Sequence, residues 1–237
     1  MFSKLALATL SLAALAASLP IAAPTNTSSE RVITDRYIFY QGDGSINAGW
    51  PSQDSWGSWE ELWNANVPLM RGSCGWNGWG ADNSDNEIND IQNAINTISG
   101  QTGVDRRFVL AVIMQETGGC VRAPTSNNGV VNPGLMQSHN GGGSCAGINP
   151  CPTSEIFEMV SDGTAGTPFG DGLRQTLQRT SAVLGNSGSR AVYAAARMYN
   201  SGSVDYADLN NPFTSTRCYA ADVANRLTGW TFAPRGC

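Results

Sequence analysis

The residues best suited to chemistry in this chain gather around Glu116, within Gln115-Glu116-Thr117-Gly118-Gly119. The carboxylate follows an unbroken apolar run, Phe108 to Met114, and sits directly against a glycine-rich turn. Such a run must be buried, and a carboxyl group at its end loses part of its water, which raises its pKa. A glutamate held protonated near neutral pH can serve as a general acid. Two later segments carry further candidates: Gly134-Leu135-Met136-Gln137, and Met198-Tyr199-Asn200-Ser201-Gly202 at the end of an Ala- and Tyr-rich stretch. Read singly, each segment is unremarkable: a surface glutamate at a helix end, a turn entering the core, a helix terminus.

Taken in this order and at these separations, the three segments resemble the lytic transglycosylase and goose-type lysozyme group of the lysozyme superfamily. The resemblance runs from Asp105 to Gly202. It implies a glycan cleft with Glu116 as the catalytic acid/base. It also implies that Gln137 hydrogen-bonds a sugar substituent or orients the site, and that Met136 packs against the sugar or the cleft wall. Tyr199 would bring its hydroxyl close to the glutamate or the N-acetyl group, and Asn200 would hold the local turn or touch substrate. Where the family has alanine before the tyrosine this chain has Met198, and Ser126 is the nearest match to the family's serine after the glutamate.

One absence bears on mechanism. No Asp or Glu occurs between Thr117 and Ser154, whereas glycoside hydrolysis ordinarily pairs its acid with a second carboxylate. Either the substrate's 2-acetamido group attacks in place of that carboxylate, or a base comes from elsewhere, with Asp82, Asp85, Asp162, Asp171 and Asp205 as candidates. The single-carboxylate mechanism is the expectation. A lytic transglycosylase would then direct the sugar's 6-hydroxyl inward and release a 1,6-anhydro product.

The elements that must position these groups read as mostly helical, an α+β lysozyme-like arrangement with a small irregular or β segment flanking the cleft. Ser58 and Glu61 have capping-box spacing at the start of one helix. Asp85 or Asn86 opens a second, with Ile88, Ile91, Ile95 and Ile98 at helical intervals and Gly100 after them. Asp105 caps the helix that ends at Glu116. Helical patterns return near Ser154 to Val160, Gly172 to Leu184, Ser189 to Tyr199 and Thr216 to Leu227. Between Thr117 and Pro152 the chain is dominated by Gly, Asn, Pro and Ser.

Six of the seven tryptophans fall between Trp50 and Trp79. Most are read as core, while Trp76 and Trp79, flanked by glycines, are candidates for stacking on sugar in the cleft. His139 reads as a structural or exposed residue. Gly141-Gly142-Gly143 has no lysine or strand-to-helix context and is no phosphate loop. No Gly-x-Ser-x-Gly elbow occurs either.

Residues 1–17 read as a secretory signal peptide, too short in its apolar part to remain as a membrane span. Residues 18–36 read as a leader or pro-segment carrying the glycosylation signal Asn26-Thr27-Ser28, and residues 37–237 as one catalytic domain with a Trp-rich part over 37–80. The six cysteines beyond the signal imply three disulfides whose pairing is open. With one histidine and no Cys-x-x-Cys, neither metal nor cofactor is called for. Lys4 is the sole lysine, so 13 arginines face 19 acidic residues beyond the signal, a net charge of about −6 that suits neither nucleic acid nor anionic membranes.

The reading is therefore a secreted, monomeric muramidase or lytic transglycosylase acting on peptidoglycan. Because peptidoglycan is itself anionic, a chitin- or chitosan-oligosaccharide hydrolase on the same fold is the alternative. A non-catalytic glycan-binding or effector protein is the third.

Overall fold

A computed structural model describes residues 33–185 and 188–237. The signal peptide, the glycosylation signal and most of the leader lie outside the described residues. Within them the chain is mostly helical: α1 Trp59–Trp76, α2 Asp85–Thr102, α3 Arg106–Thr117, α4 Thr153–Ala165, α5 Leu173–Leu184, α6 Ser189–Ser201 and α7 Tyr219–Leu227. Two short 3-10 turns, Ile46–Ala48 and Gln53–Ser55, precede α1. The only sheet among the described residues is a hairpin of two-residue strands, β1 Ser126–Asn127 and β2 Val131–Asn132, with Ser126 opposite Asn132. No helix among the described residues is long and apolar enough to cross a membrane.

Helix α3 is the hub. Every residue from Phe108 to Met114 is buried, and α1, α2 and α7 all pack against it. A helix apolar on all sides has no solvent face to present, so α3 must run through the interior and deliver its last turn wherever the interior ends. Asp105 accepts from the Arg107 N–H at one end, and Gly118 closes the other with φ 62. A side chain at the following Gly119 (φ 80) would come within 2.6 Å of Met70 Cγ, so the chain can turn there only as glycine.

Ser58 and Glu61 form the expected capping box. The second helix differs by one residue from the sequence reading. Ser84, rather than Asp85 or Asn86, is its cap, and Glu87 returns the hydrogen bond to the Ser84 N–H at 2.7 Å. The four isoleucines of α2 are buried as their spacing requires. The C-terminal helix begins later than expected, at Tyr219, because Cys218 adopts a left-handed conformation (φ 64).

All six cysteines are paired: Cys74–Cys120, Cys145–Cys151 and Cys218–Cys237. The first ties the end of α1 to the turn that follows Glu116. It closes a span of 46 residues, for which the lost denatured-state entropy corresponds to ~4 kcal/mol. Trp50, Trp56, Trp59 and Trp63 are buried. The Trp56 indole N–H donates to the Tyr193 hydroxyl at 2.8 Å, which in turn donates to the Pro51 carbonyl at 2.8 Å.

The boundary between leader and domain lies earlier than sequence suggested. The Asp35 carboxylate accepts from the backbone N–H groups of Thr231, Phe232 and Ala233. Ile33 packs so closely on Gly57 and Gly229 that neither could carry a Cβ. Thus Ile33 to Arg36 belong to the folded domain. Tyr37 continues this edge, donating to Asp222 at 2.7 Å.

Candidate active site: a cavity over the end of α3

The last turn of α3 opens into a cavity of about 950 Å³. One side is the hairpin region, with Ser126, Asn128, Asn132 and Gln137. A second is His139 with the Phe169–Asp171 loop, and the third is the end of α6 with Thr214 to Thr216. Glu116 lines it. The residue keeps some surface open to the cavity, yet protein surrounds its carboxyl group. Burial pushes its pKa up to about 7, and a hydrogen bond from Tyr219 works in the opposite direction. That bond, from the Tyr219 hydroxyl to Glu116 Oε1, measures 2.5 Å.

The three segments singled out in the sequence converge here. The Thr117 hydroxyl, one residue beyond the glutamate, donates to the Leu135 carbonyl at 2.9 Å. The Tyr199 hydroxyl donates to the Met136 carbonyl at 2.8 Å. Helix α3, the Gly134–Gln137 turn and α6 are thereby stitched together around the carboxyl group. Burial raises the Tyr199 phenol far above its usual range, and the neighbouring Glu116 charge adds to this, so it stays a donor at any working pH. Its proton is committed to backbone rather than to the glutamate.

Gln137 lines the cavity with an unusual φ of 46, and its side-chain NH₂ is held by the carbonyls of Pro124 and Gly134. Asn200 holds the local turn. Its side-chain oxygen accepts from the Arg197 guanidinium and from the Thr216 N–H at 3.1 Å. Arg197, fully buried, also donates to the Thr216 carbonyl at 2.8 Å and stands 6.0 Å from the Tyr219 ring centre. It therefore fixes the third wall and backs the tyrosine that holds Glu116. Ser126 lies on β1 at the cavity edge.

Other expectations are corrected. Met136 is completely buried, with its side chain packed against Gly163 of α4, so it sits behind the wall and cannot touch a sugar. Trp76 and Trp79 are not among the residues lining the cavity. The Trp76 indole lies over Gly72 and meets Phe232 edge-on. His139 is exposed, as the sequence reading had it, and it also lines the cavity.

Of the candidate bases, Asp171 alone faces the cavity. Asp82 accepts from the Gly75 N–H, Asp85 pairs with Arg71, Asp162 accepts from Gly142 and Gly143, and Asp205 caps Ala207. No cluster of three or more His, Cys, Asp or Glu side chains among the described residues is placed to hold a metal ion.

Neither a protein-family model, nor a curated protein, nor a solved structure matches this chain. The chemistry of the site accordingly rests on its geometry.

Sequence reasoning missed Tyr219, Phe169 and the Thr214–Thr216 wall. Tyr219 is 103 residues from Glu116, and no local pattern links them. Removing its hydroxyl should expose its role. In Tyr219→Phe the Glu116 pKa rises further, because the lost bond favoured the carboxylate. A charge-assisted bond of about 1.5 kcal/mol corresponds to a rise of roughly one pH unit. NMR titration of the Glu116 side chain reads this directly, and an unchanged titration would contradict the contact.

Proposed function

We propose that this chain is a secreted glycan-cleaving enzyme of the lysozyme type, a muramidase or lytic transglycosylase that breaks β-1,4 bonds of peptidoglycan. The observation that carries the reading is the enclosed Glu116 carboxyl, with a pKa of about 7 at the wall of a cavity large enough for sugar residues. A helical body with a small hairpin beside the cavity, three disulfides and the N-terminal signal pattern all fit it.

Glu116 donates its proton to the glycosidic oxygen as the C1–O bond breaks. The substrate's 2-acetamido oxygen attacks C1 and holds the positive charge as an oxazolinium ring. The Glu116 carboxylate then removes a proton from an incoming hydroxyl. Water yields a reducing end, and the sugar's own 6-hydroxyl yields a 1,6-anhydro end. Burial and the Tyr219 bond are the influences on the Glu116 pKa, with no contribution from another carboxylate, which suits a single-carboxylate mechanism.

Such an enzyme should show kcat/KM constant at acid pH and falling tenfold per unit above about pH 7, as the free enzyme loses the Glu116 proton. A bell-shaped profile with a second limb near the ordinary carboxylate range would instead demand a catalytic base. Mass spectrometry of products from purified peptidoglycan and from chitin oligomers tests the reaction itself. Anhydro-muramyl ends mean transglycosylase, reducing ends mean hydrolase, and no cleavage of either glycan sinks the proposal. Cleavage of chitin oligomers alone would favour the second reading, a chitin- or chitosan-oligosaccharide hydrolase, for which the net charge of about −6 speaks.

A further inference from the structure

The loop from Gly166 to Gly172 is built more rigidly than a connection between two helices requires. Its ends touch: a Cβ on Gly172 would lie 2.4 Å from the Gly166 nitrogen. The Gln175 side chain clamps this neck, donating to the Ala165 carbonyl at 2.6 Å while accepting from the Gly172 N–H at 3.0 Å. Inside the loop, the Thr167 hydroxyl accepts from the N–H groups of Phe169 and Gly170 and donates to the His139 carbonyl at 3.2 Å. Gly170 lies so close to the His139 ring that a Cβ there would come within 2.6 Å.

On this fixed frame Phe169 is 74% exposed. A large aromatic ring held in water by a rigid loop contributes little to folding. Phe169 lines the same cavity as Glu116, and so does Asp171. The Asp171 carboxylate is oriented by Arg179, which stands 2.9 Å away with most of its own side chain in solvent. A carboxylate has about four lone-pair positions, and the guanidinium fork occupies two. No arginine or lysine is among the residues lining the cavity, and the guanidinium of the nearby Arg179 is already engaged by the Asp171 carboxylate.

We propose that Phe169 and Asp171 form a sugar subsite selective for an amino sugar bearing a free 2-ammonium group, with the pyranose ring on Phe169 and its ammonium donating to Asp171. This rests on the glycan-cleft reading of the same cavity. The pyranose face suits the phenyl ring because both are apolar. The ammonium suits the carboxylate because a charge-assisted bond is about twice as strong as a neutral one. De-N-acetylated chitin and de-N-acetylated peptidoglycan both supply such a sugar.

The test measures binding and needs no turnover. Protein carrying Glu116→Gln is titrated calorimetrically at about pH 5, low enough for the sugar amine, weakened as a base by its oxygen-bearing neighbours, to hold its proton, with glucosamine oligomers and with N-acetylglucosamine oligomers of equal length. The glucosamine series should bind on the order of tenfold more tightly. Adding Asp171→Asn should abolish that difference while leaving the acetylated series nearly unchanged. Adding Phe169→Ala should weaken both series together. Equal affinities at the outset, or a preference that survives Asp171→Asn, overturn the subsite. Fragments of de-N-acetylated peptidoglycan run alongside decide the source: tighter binding than the glucosamine oligomers points to the cell wall, weaker binding to chitosan, and either supports the subsite. Loss of catalysis in wild type with this selectivity intact would overturn the enzyme reading and leave the binding site standing.

Discussion

Glu116→Gln protein should be inactive on glycan and yet more stable than wild type at alkaline pH. Loss of a general acid costs about 10²–10⁴ in rate, and here the same residue also supplies the base for the second step, so the loss belongs at the upper end. The stability gain follows from linkage. In the folded chain burial raises the Glu116 pKa from 4.5 to about 7. Below about pH 4 both folded and unfolded chains hold the proton, and the residue has no pH-dependent effect. Between the two pKa values the folded chain binds more protons, so wild-type stability falls as pH rises. Above about 7 the full shift is felt, equivalent to ~3 kcal/mol. Glutamine keeps the acceptor for the Tyr219 hydroxyl and carries no charge to desolvate. Its melting temperature should exceed that of wild type by roughly 5–10 °C at pH 8 and by little at pH 4. Calorimetry at the two pH values checks this. A difference that is the same at both would mean that Glu116 is not enclosed as described.

How much of this was legible in the sequence depends on whether the cause was local. The seven consecutive apolar residues Phe108 to Met114, with Asp105 as a cap before them, read as an interior helix, and α3 is one. Ser58 with Glu61 announced its helix by reciprocal capping. Ser84 with Glu87 carries the same signature, and the more polar Asp85 beside it drew the boundary one residue too far. Tryptophan position had no such local sign. Trp56 and Trp76 look alike in sequence, but only Trp56 finds a buried hydroxyl, that of Tyr193, for its indole N–H, while Trp76 rests on the surface over Gly72. Tyr219 and Phe169 could not be read, and Asp171 could not be told from the other candidate bases, because each owes its place to packing between distant elements, of α7 against α3 in one case and of a loop against His139 in the other. Ile33 to Arg36 were assigned to the leader on composition, which cannot reveal that Asp35 would gather three backbone donors from the far end of the chain.

The buried pair Arg122–Glu87 should be the most sensitive point of the fold outside the core. Arg122 Nη2 lies 2.5 Å from Glu87 Oε1, and neither side chain is more than 3% exposed. Glu87 Oε1 also accepts from the Cys151 N–H at 2.8 Å, and its other oxygen takes the Ser84 N–H at 2.7 Å. Arg122 reaches on to the Asn149 side chain at 2.6 Å. A single ion pair thus joins α2, the turn after Cys120 and the segment entering α4, which together frame the irregular segment carrying Ser126 and Gln137. Burial works to raise the Glu87 pKa, and the donors from Ser84, Cys151 and Arg122 outweigh it, holding the carboxyl below its usual range. Arg122→Ala removes the counter-charge and leaves a desolvated carboxylate, at a cost of about 3–5 kcal/mol, a large share of the 5–15 kcal/mol typical of a folded domain. Glu87→Gln added to Arg122→Ala should recover part of that loss, since the amide has no charge to bury, although its single oxygen can accept from only one of the Ser84 and Cys151 N–H groups. Urea unfolding of the two single variants and the double variant gives the coupling directly. Near neutral pH the double variant should be more stable than Arg122→Ala. As pH falls below the ordinary carboxylate range that advantage should shrink, because protonation of Glu87 in the single variant achieves the same neutralisation. An Arg122→Ala loss below about 1 kcal/mol, the scale of an exposed pair, would place this ion pair at the surface and sever the link drawn here between the irregular segment and α2.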